Sequence, residues 1–173
     1  MPNIHPLLIH FPIALIIVVV AIDLVGLIAK RENLLRMGSI LTVVALAGGA
    51  VSVLSGVIAE ESVWHTEAAE ELIERHELLG FIYLGLLALL TIIRLAGQKR
   101  LLGPAGWASL FVGIVAAAIV SYSAYLGGEM VYSHGTGVAP AQTLSEKLIN
   151  DEKQPSYDEE DQEKEAEGSE ESE

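Results

Sequence analysis

An integral membrane, all-α protein is what this chain predicts: an up-down bundle of four helices with a disordered acidic tail. Three observations carry that expectation. Four runs are almost wholly apolar, at residues 7–29, 37–59, 78–96 and 106–126. Hydrophobic residues make up 51% of the chain while its net charge is −13, which suits segregated greasy and acidic parts rather than an ordinary globule. The acidic excess falls in residues 60–77 and after residue 140.

Each apolar run is long enough to span, since a bilayer's hydrocarbon core takes about 20 residues of helix. Lipid offers backbone amides no partner, so each run must be helical. The first begins almost at the first residue, lacks a basic leader and is too long for a signal sequence, so it is expected to stay as a span. The connections at 30–36 and 97–105 are short, which makes their flanking helices antiparallel neighbours. The first carries Lys30, Arg31 and Arg36; the third carries Lys99 and Arg100, with Arg94 just before it. The middle connection is rich in glutamate. The positive-inside rule then puts both basic loops in the cytoplasm, and the termini and the middle loop outside a bacterial inner (plasma) membrane. Residues 66–75 read as helical, either lying on the surface or extending the third helix outward. The expected boundaries are a four-span domain over 1–139 and a tail over 140–173. The last stretch, 158–173, is too polar to bury a core. That tail solubilises the protein or recruits a basic partner.

Composition also excludes chemistries. The chain has no cysteine, which removes disulfides, thiolate metal sites, cysteine-bound clusters and covalently attached haem. No phosphate-binding loop, dinucleotide fingerprint or nucleophile–base pair occurs, and no basic patch suits nucleic acid.

What remains is histidine. His5, His10, His65, His76 and His134 all lie within a few residues of expected helix ends on the outward side, and the acidic tail has none. They are either snorkelling interfacial side chains or ligands. Pro12 lies inside the first helix and frees the carbonyl of Leu8, which then needs another donor. Glu74 and Glu77 flank His76 as possible acceptors for its ring. The double glycine Gly127-Gly128 is expected to end the fourth helix and let His134 fold back as a cap.

Helices one and three enter from the same side and occupy diagonal corners. That places His10 and His76 at similar depth, about 13 Å apart across the diagonal. Two imidazoles so placed suit the axial positions of a haem b engaged in electron transfer. Ser52 and Gly56 on helix two, and Ala117 and Ser121 on helix four, belong to four-residue ladders of small residues. Those ladders either pack helices closely or leave a pocket at the outer end. His5, His65 and His134 form a second site or support the first. The alternatives are a copper-, zinc- or iron-binding or transport module, in which the histidines converge on one ion, and a structural subunit. Lipid is the expected partner; a redox protein or quinone accompanies the haem reading. Asp23 is a lone carboxylate inside the first span and is expected to pair with Arg36 or Arg94 in a structural role.

The opening His5-Pro6-x-x-x-His10-Phe11-Pro12 and the closing Gly127-Gly128-x-x-Val131-Tyr132-x-His134-Gly135-x-Gly137-Val138 resemble a bacterial membrane family, domain of unknown function 2231. The resemblance covers about residues 3–138. It implies a four-helix membrane domain with histidines at signature positions, and it carries no settled activity.

Overall fold

Amides facing lipid have only one another to bond, and each apolar run is one unbroken helix in the computed structural model, which describes residues 5–63, 65–97 and 100–153. These are α1 (His5–Ile28), α2 (Glu32–Ser62), α3 (Glu67–Ala96) and α4 (Pro104–His134), and all four are long and apolar enough to cross a membrane. A fifth helix, α5 (Ala139–Lys153), follows. No strand occurs among the described residues. The acidic run 158–173 and Lys99 lie outside them.

The spanning helices form a ring in which α1 and α3 each pack against α2 and α4. Helices α1 and α3 therefore stand on the diagonal. α1 turns into α2 within three residues, through Lys30 at φ 52°, and Arg31 donates back to the Gly26 carbonyl at 2.8 Å. Glycine lets the hairpin close there: a Cβ on Gly26 would lie 2.8 Å from the Leu35 side chain. α3 begins at Glu67 and runs straight into the third span, so the stretch after the middle loop extends that helix outward.

Three departures from the sequence expectations have simple causes. The double glycine does not end α4, which continues for six more residues to His134. Glycine is tolerated where a neighbouring helix fills the space it leaves, and Gly127 lies beneath the His76 ring. The helix stops instead at Gly135, in the left-handed conformation that glycine adopts without strain (φ 64°), so His134 ends the helix rather than capping the bundle from a loop. Finally, the tail expected to be disordered from residue 140 starts as helix α5, in a second compact unit that begins at Val138. Its Leu144 and Leu148, one turn apart, are exposed, as is Ile149.

The bundle is layered along its length. Its middle is apolar and buried: Ile16, Val19, Ala45, Leu87, Leu90 and Ala116. Leu7, Phe11, Ile17, Leu24, Ile92 and Phe111 cover the outside, as lipid requires. At the end near the short turns, Asp23 and Arg94 form a buried ion pair, each side chain 2% exposed. Arg94 also donates to the Leu35 carbonyl and the Ser39 hydroxyl, both at 3.4 Å. Arg36 is not the partner; it pairs with Glu32 one turn back on α2, at 3.0 Å. Gly38 seats the pair, because a Cβ there would lie 2.7 Å from Asp23 Oδ1.

The carbonyl freed by Pro12 finds its donor. The Ser52 hydroxyl donates to Leu8 at 3.2 Å, while also bonding Gly48 at 2.9 Å. Tyr83 completes this level by donating its hydroxyl to the Pro12 carbonyl at 3.0 Å. Replacing Ser52 with alanine strands the Leu8 carbonyl and costs about 1–3 kcal/mol. In a Pro12→Ala background the backbone amide of residue 12 restores the helical bond, so the same replacement costs less. A double-mutant cycle of unfolding free energies in detergent measures the difference.

Candidate histidine site

Two helical stripes decide which histidines meet. The buried face of α1 runs through Pro12, Ile16, Val19 and Asp23. Continued seven residues back from Pro12, that stripe reaches His5. His10 lies two residues from Pro12, about 200° around the helix, and points away from the core. On α3 the buried residues Ala69, Tyr83, Leu87 and Leu90 share a stripe with His76. The rings that meet across the diagonal are therefore His5 and His76, with centroids 6.2 Å apart and planes at 88°. The expected facing of His10 and His76 does not form. His10 is exposed, and its Nδ1 bonds the Pro6 carbonyl one turn back at 2.6 Å.

Each ring of the pair is held by a different neighbouring helix. His5 Nδ1 lies 3.0 Å from the Ser52 carbonyl and 2.9 Å from the Ser55 hydroxyl. His76 Nδ1 lies 2.9 Å from the Ser123 carbonyl and 3.1 Å from its hydroxyl. A carbonyl only accepts, so Nδ1 is the protonated nitrogen on both rings. In the neutral imidazole the lone pair is then on Nε2, the tautomer that such a carbonyl contact selects in metal-binding histidines. Glu77 and Glu74, expected to orient His76, make no hydrogen bond to it among the described residues; Ser123 holds that role.

The glycines are part of the same construction. A Cβ on Gly56 would lie 3.0 Å from His5 Cε1, and one on Gly127 would lie 3.3 Å from His76 Cε1. Both rings thus lie against the bare backbone of α2 and α4. Of the residues expected to line a pocket, Ser52 and Gly56 do flank the site, through His5. Ala117 packs against the central core, and Ser121 is exposed, bonding the Ala117 carbonyl at 2.7 Å. Four-residue steps advance about 40° past each full turn, so the ladder Ser109, Gly113, Ala117, Ser121 winds off the buried face. Ser123, which the ladder skips, stays on it.

The remaining histidines are elsewhere. His65, in the loop between α2 and α3, bonds the Val63 carbonyl at 3.0 Å. His134 approaches the Glu129 carbonyl at 3.4 Å. No three histidine, aspartate or glutamate side chains converge on a metal position among the described residues. The alternative in which the entry, loop and cap histidines converge on one ion is thus not formed by side chains of those types among the described residues, and two imidazoles constitute the site. Ser55, Ser123 and Gly127 are its members that sequence reasoning missed. Extending the α1 and α3 stripes outward is the signal that finds the correct pair. A surface groove on α4, lined by Tyr125, Gly128, Glu129 and Tyr132, is separate from it.

A methyl group at residue 56 or 127 pushes a ring off its carbonyl. Gly56→Ala is expected to destabilise by about 1–3 kcal/mol, and more than Gly127→Ala, because its contact is closer; thermal unfolding of both variants in detergent checks the order.

Comparison with curated proteins and with solved structures finds no match. The family model described as "Predicted membrane protein (DUF2231)" matches residues 1–140, which takes in all four spans and both histidines of the pair. The chain belongs to that family of membrane proteins.

Proposed function

We propose that this membrane protein binds a single copper ion between His5 and His76, near the membrane face on which α1 begins, and holds or passes it there. The observation that carries this reading is the tautomer: on each ring Nδ1–H donates to a carbonyl of a neighbouring helix, which makes Nε2 the nitrogen with the lone pair. A metal at about 2.0–2.1 Å from each nitrogen sets the two nitrogens roughly 3–4 Å apart. With each ring centre about 1 Å behind its nitrogen, rings sharing an ion would have centres about 5–6 Å apart, close to the observed 6.2 Å. Two imidazoles fall short of the four donors zinc takes. Cuprous copper, unlike zinc or the cupric ion, accepts as few as two or three donors. Met130 lies on the buried face of α4, one turn beyond Gly127, and offers the soft thioether that favours the cuprous state.

Electrostatics supports the same end of the bundle. Glu67, Glu70, Glu71 and Glu74 stand on the outward extension of α3, a field that attracts cations. Lys30, Arg31, Arg36 and Arg94 gather at the opposite end, which by the positive-inside rule faces the cytoplasm. The histidine site then opens to the outer side of the plasma membrane.

Haem b is the second reading, because two imidazoles at this separation also match the axial positions of an iron porphyrin. Room favours the ion: Gly56 and Gly127 bring α2 and α4 against both rings, and a macrocycle must part them.

Protein expressed with copper supplied is expected to carry one equivalent by elemental analysis. His5→Ala and His76→Ala each carry well under one equivalent because their binding is weakened, and His10→Ala keeps it. A Soret band abolished by the same two substitutions would establish haem instead. A preparation with neither, after both are supplied, ends the cofactor reading and leaves a structural role.

A further inference from the structure

The two hairpins repeat one another. A shift of 71 residues, the separation of Pro12 from Tyr83 and of Asp23 from Arg94, carries His5 to His76, Ser52 to Ser123 and Gly56 to Gly127 with no gap between. His5-x-Leu7-Leu8 returns as His76-x-Leu78-Leu79. The contacts return as well. Each histidine bonds a serine carbonyl 47 residues onward. Each lies against the glycine four residues past that serine. Gly26 packs against Leu34 at the first hairpin turn, and their counterparts Gly97 and Ala105 pack at the second. Burial follows: Ile16, Ala45 and Gly49 are buried, and so are Leu87, Ala116 and Val120.

We infer that the four spans are a tandem duplication of one helical hairpin about a two-fold axis running along the bundle, and that the histidine site lies on that axis and takes a ligand both imidazoles hold alike. A two-fold axis is where a residue meets its own counterpart. Among the described residues such meetings join His5 with His76, Pro12 with Tyr83, and Asp23 with Arg94. They place α1 and α3 parallel and in register, as expected of repeats related by an axis along the membrane normal.

Two identical hairpins would set Asp against Asp, or Arg against Arg, at the buried level. Like charges there are unpaired and costly. Copies joined in one chain can diverge, and here they differ where complementarity is gained: acid against base, carbonyl against hydroxyl. At the outer level the two copies carry the same residue. A ligand with two unlike ends gains nothing from identical donors, whereas one ion centred on the axis engages both alike. This last step rests on the metal-binding reading above; the duplication does not.

The test is an exchange across the axis in the full chain. Asp23→Arg and Arg94→Asp alone bury like charges and are expected to give little folded protein. Asp23→Arg/Arg94→Asp restores the pair and is expected to recover at least half of the lost unfolding midpoint. Adding Gly38→Ser/Ser109→Gly exchanges the corresponding residues of the two hairpins as well and recovers more. If neither exchange exceeds the single variants, the two-fold relation is wrong, whatever the wild type does with copper. Recovery together with a wild type that binds no copper leaves the duplication standing and removes the metal reading. For the ligand, His5→Ala and His76→Ala are expected to weaken copper binding within about threefold of each other, and a disparity beyond about tenfold overturns the shared axial ion.

Discussion

Helices α1 and α3 share no loop, yet the bundle is organised by how they meet. Lipid tails are as apolar as leucine, so burial of grease does not by itself choose which helix faces which. Close packing and polar contacts choose. α1 and α3 touch through His5 and His76 at one end, Tyr83 and Pro12 a little deeper, and Arg94 and Asp23 near the other end. Eighteen residues separate His5 from Asp23 and His76 from Arg94, about 27 Å of helix and five whole turns. That length nearly equals the hydrocarbon thickness of about 30 Å. The polar levels therefore lie near the two faces of the membrane, and the apolar middle separates them.

The site and the fold share residues at the histidine end. Pro12 breaks a backbone bond, Ser52 repairs it with its hydroxyl, and the carbonyl of the same serine holds His5. The second hairpin has Tyr83 where the first has Pro12, so no carbonyl needs repair. There the Ser123 hydroxyl turns to His76 instead. One serine position thus serves backbone and ring in one half and the ring alone in the other.

Much was legible in residues. The number of spans follows from four apolar runs, and helicity follows from the demands of lipid. The need for a donor to Leu8 follows from Pro12, and a basic partner for Asp23 follows from its depth. His76 stands out as the histidine beginning the apolar part of a span. The choice between His5 and His10 was also present, as the phase of each against Pro12, Ile16, Val19 and Asp23, but it becomes decisive only when that stripe is known to face inward. Ser123 was hidden behind Ser121 because a four-residue ladder imitates a helix face for a turn or two and then drifts. The helix over 139–153 was obscured by the acidity of the sequence beyond it.

By itself, the sequence determined four membrane helices, their alternating directions and the clustering of histidine at one end. Those depend on local composition and on the cost of an unbonded amide in lipid, which no partner alters. Tertiary structure decided which histidines pair, which nitrogen each presents and which arginine answers Asp23. Each of these depends on a carbonyl, a bare glycine backbone or a side chain brought from another helix, and only the packing of the four helices sets those distances.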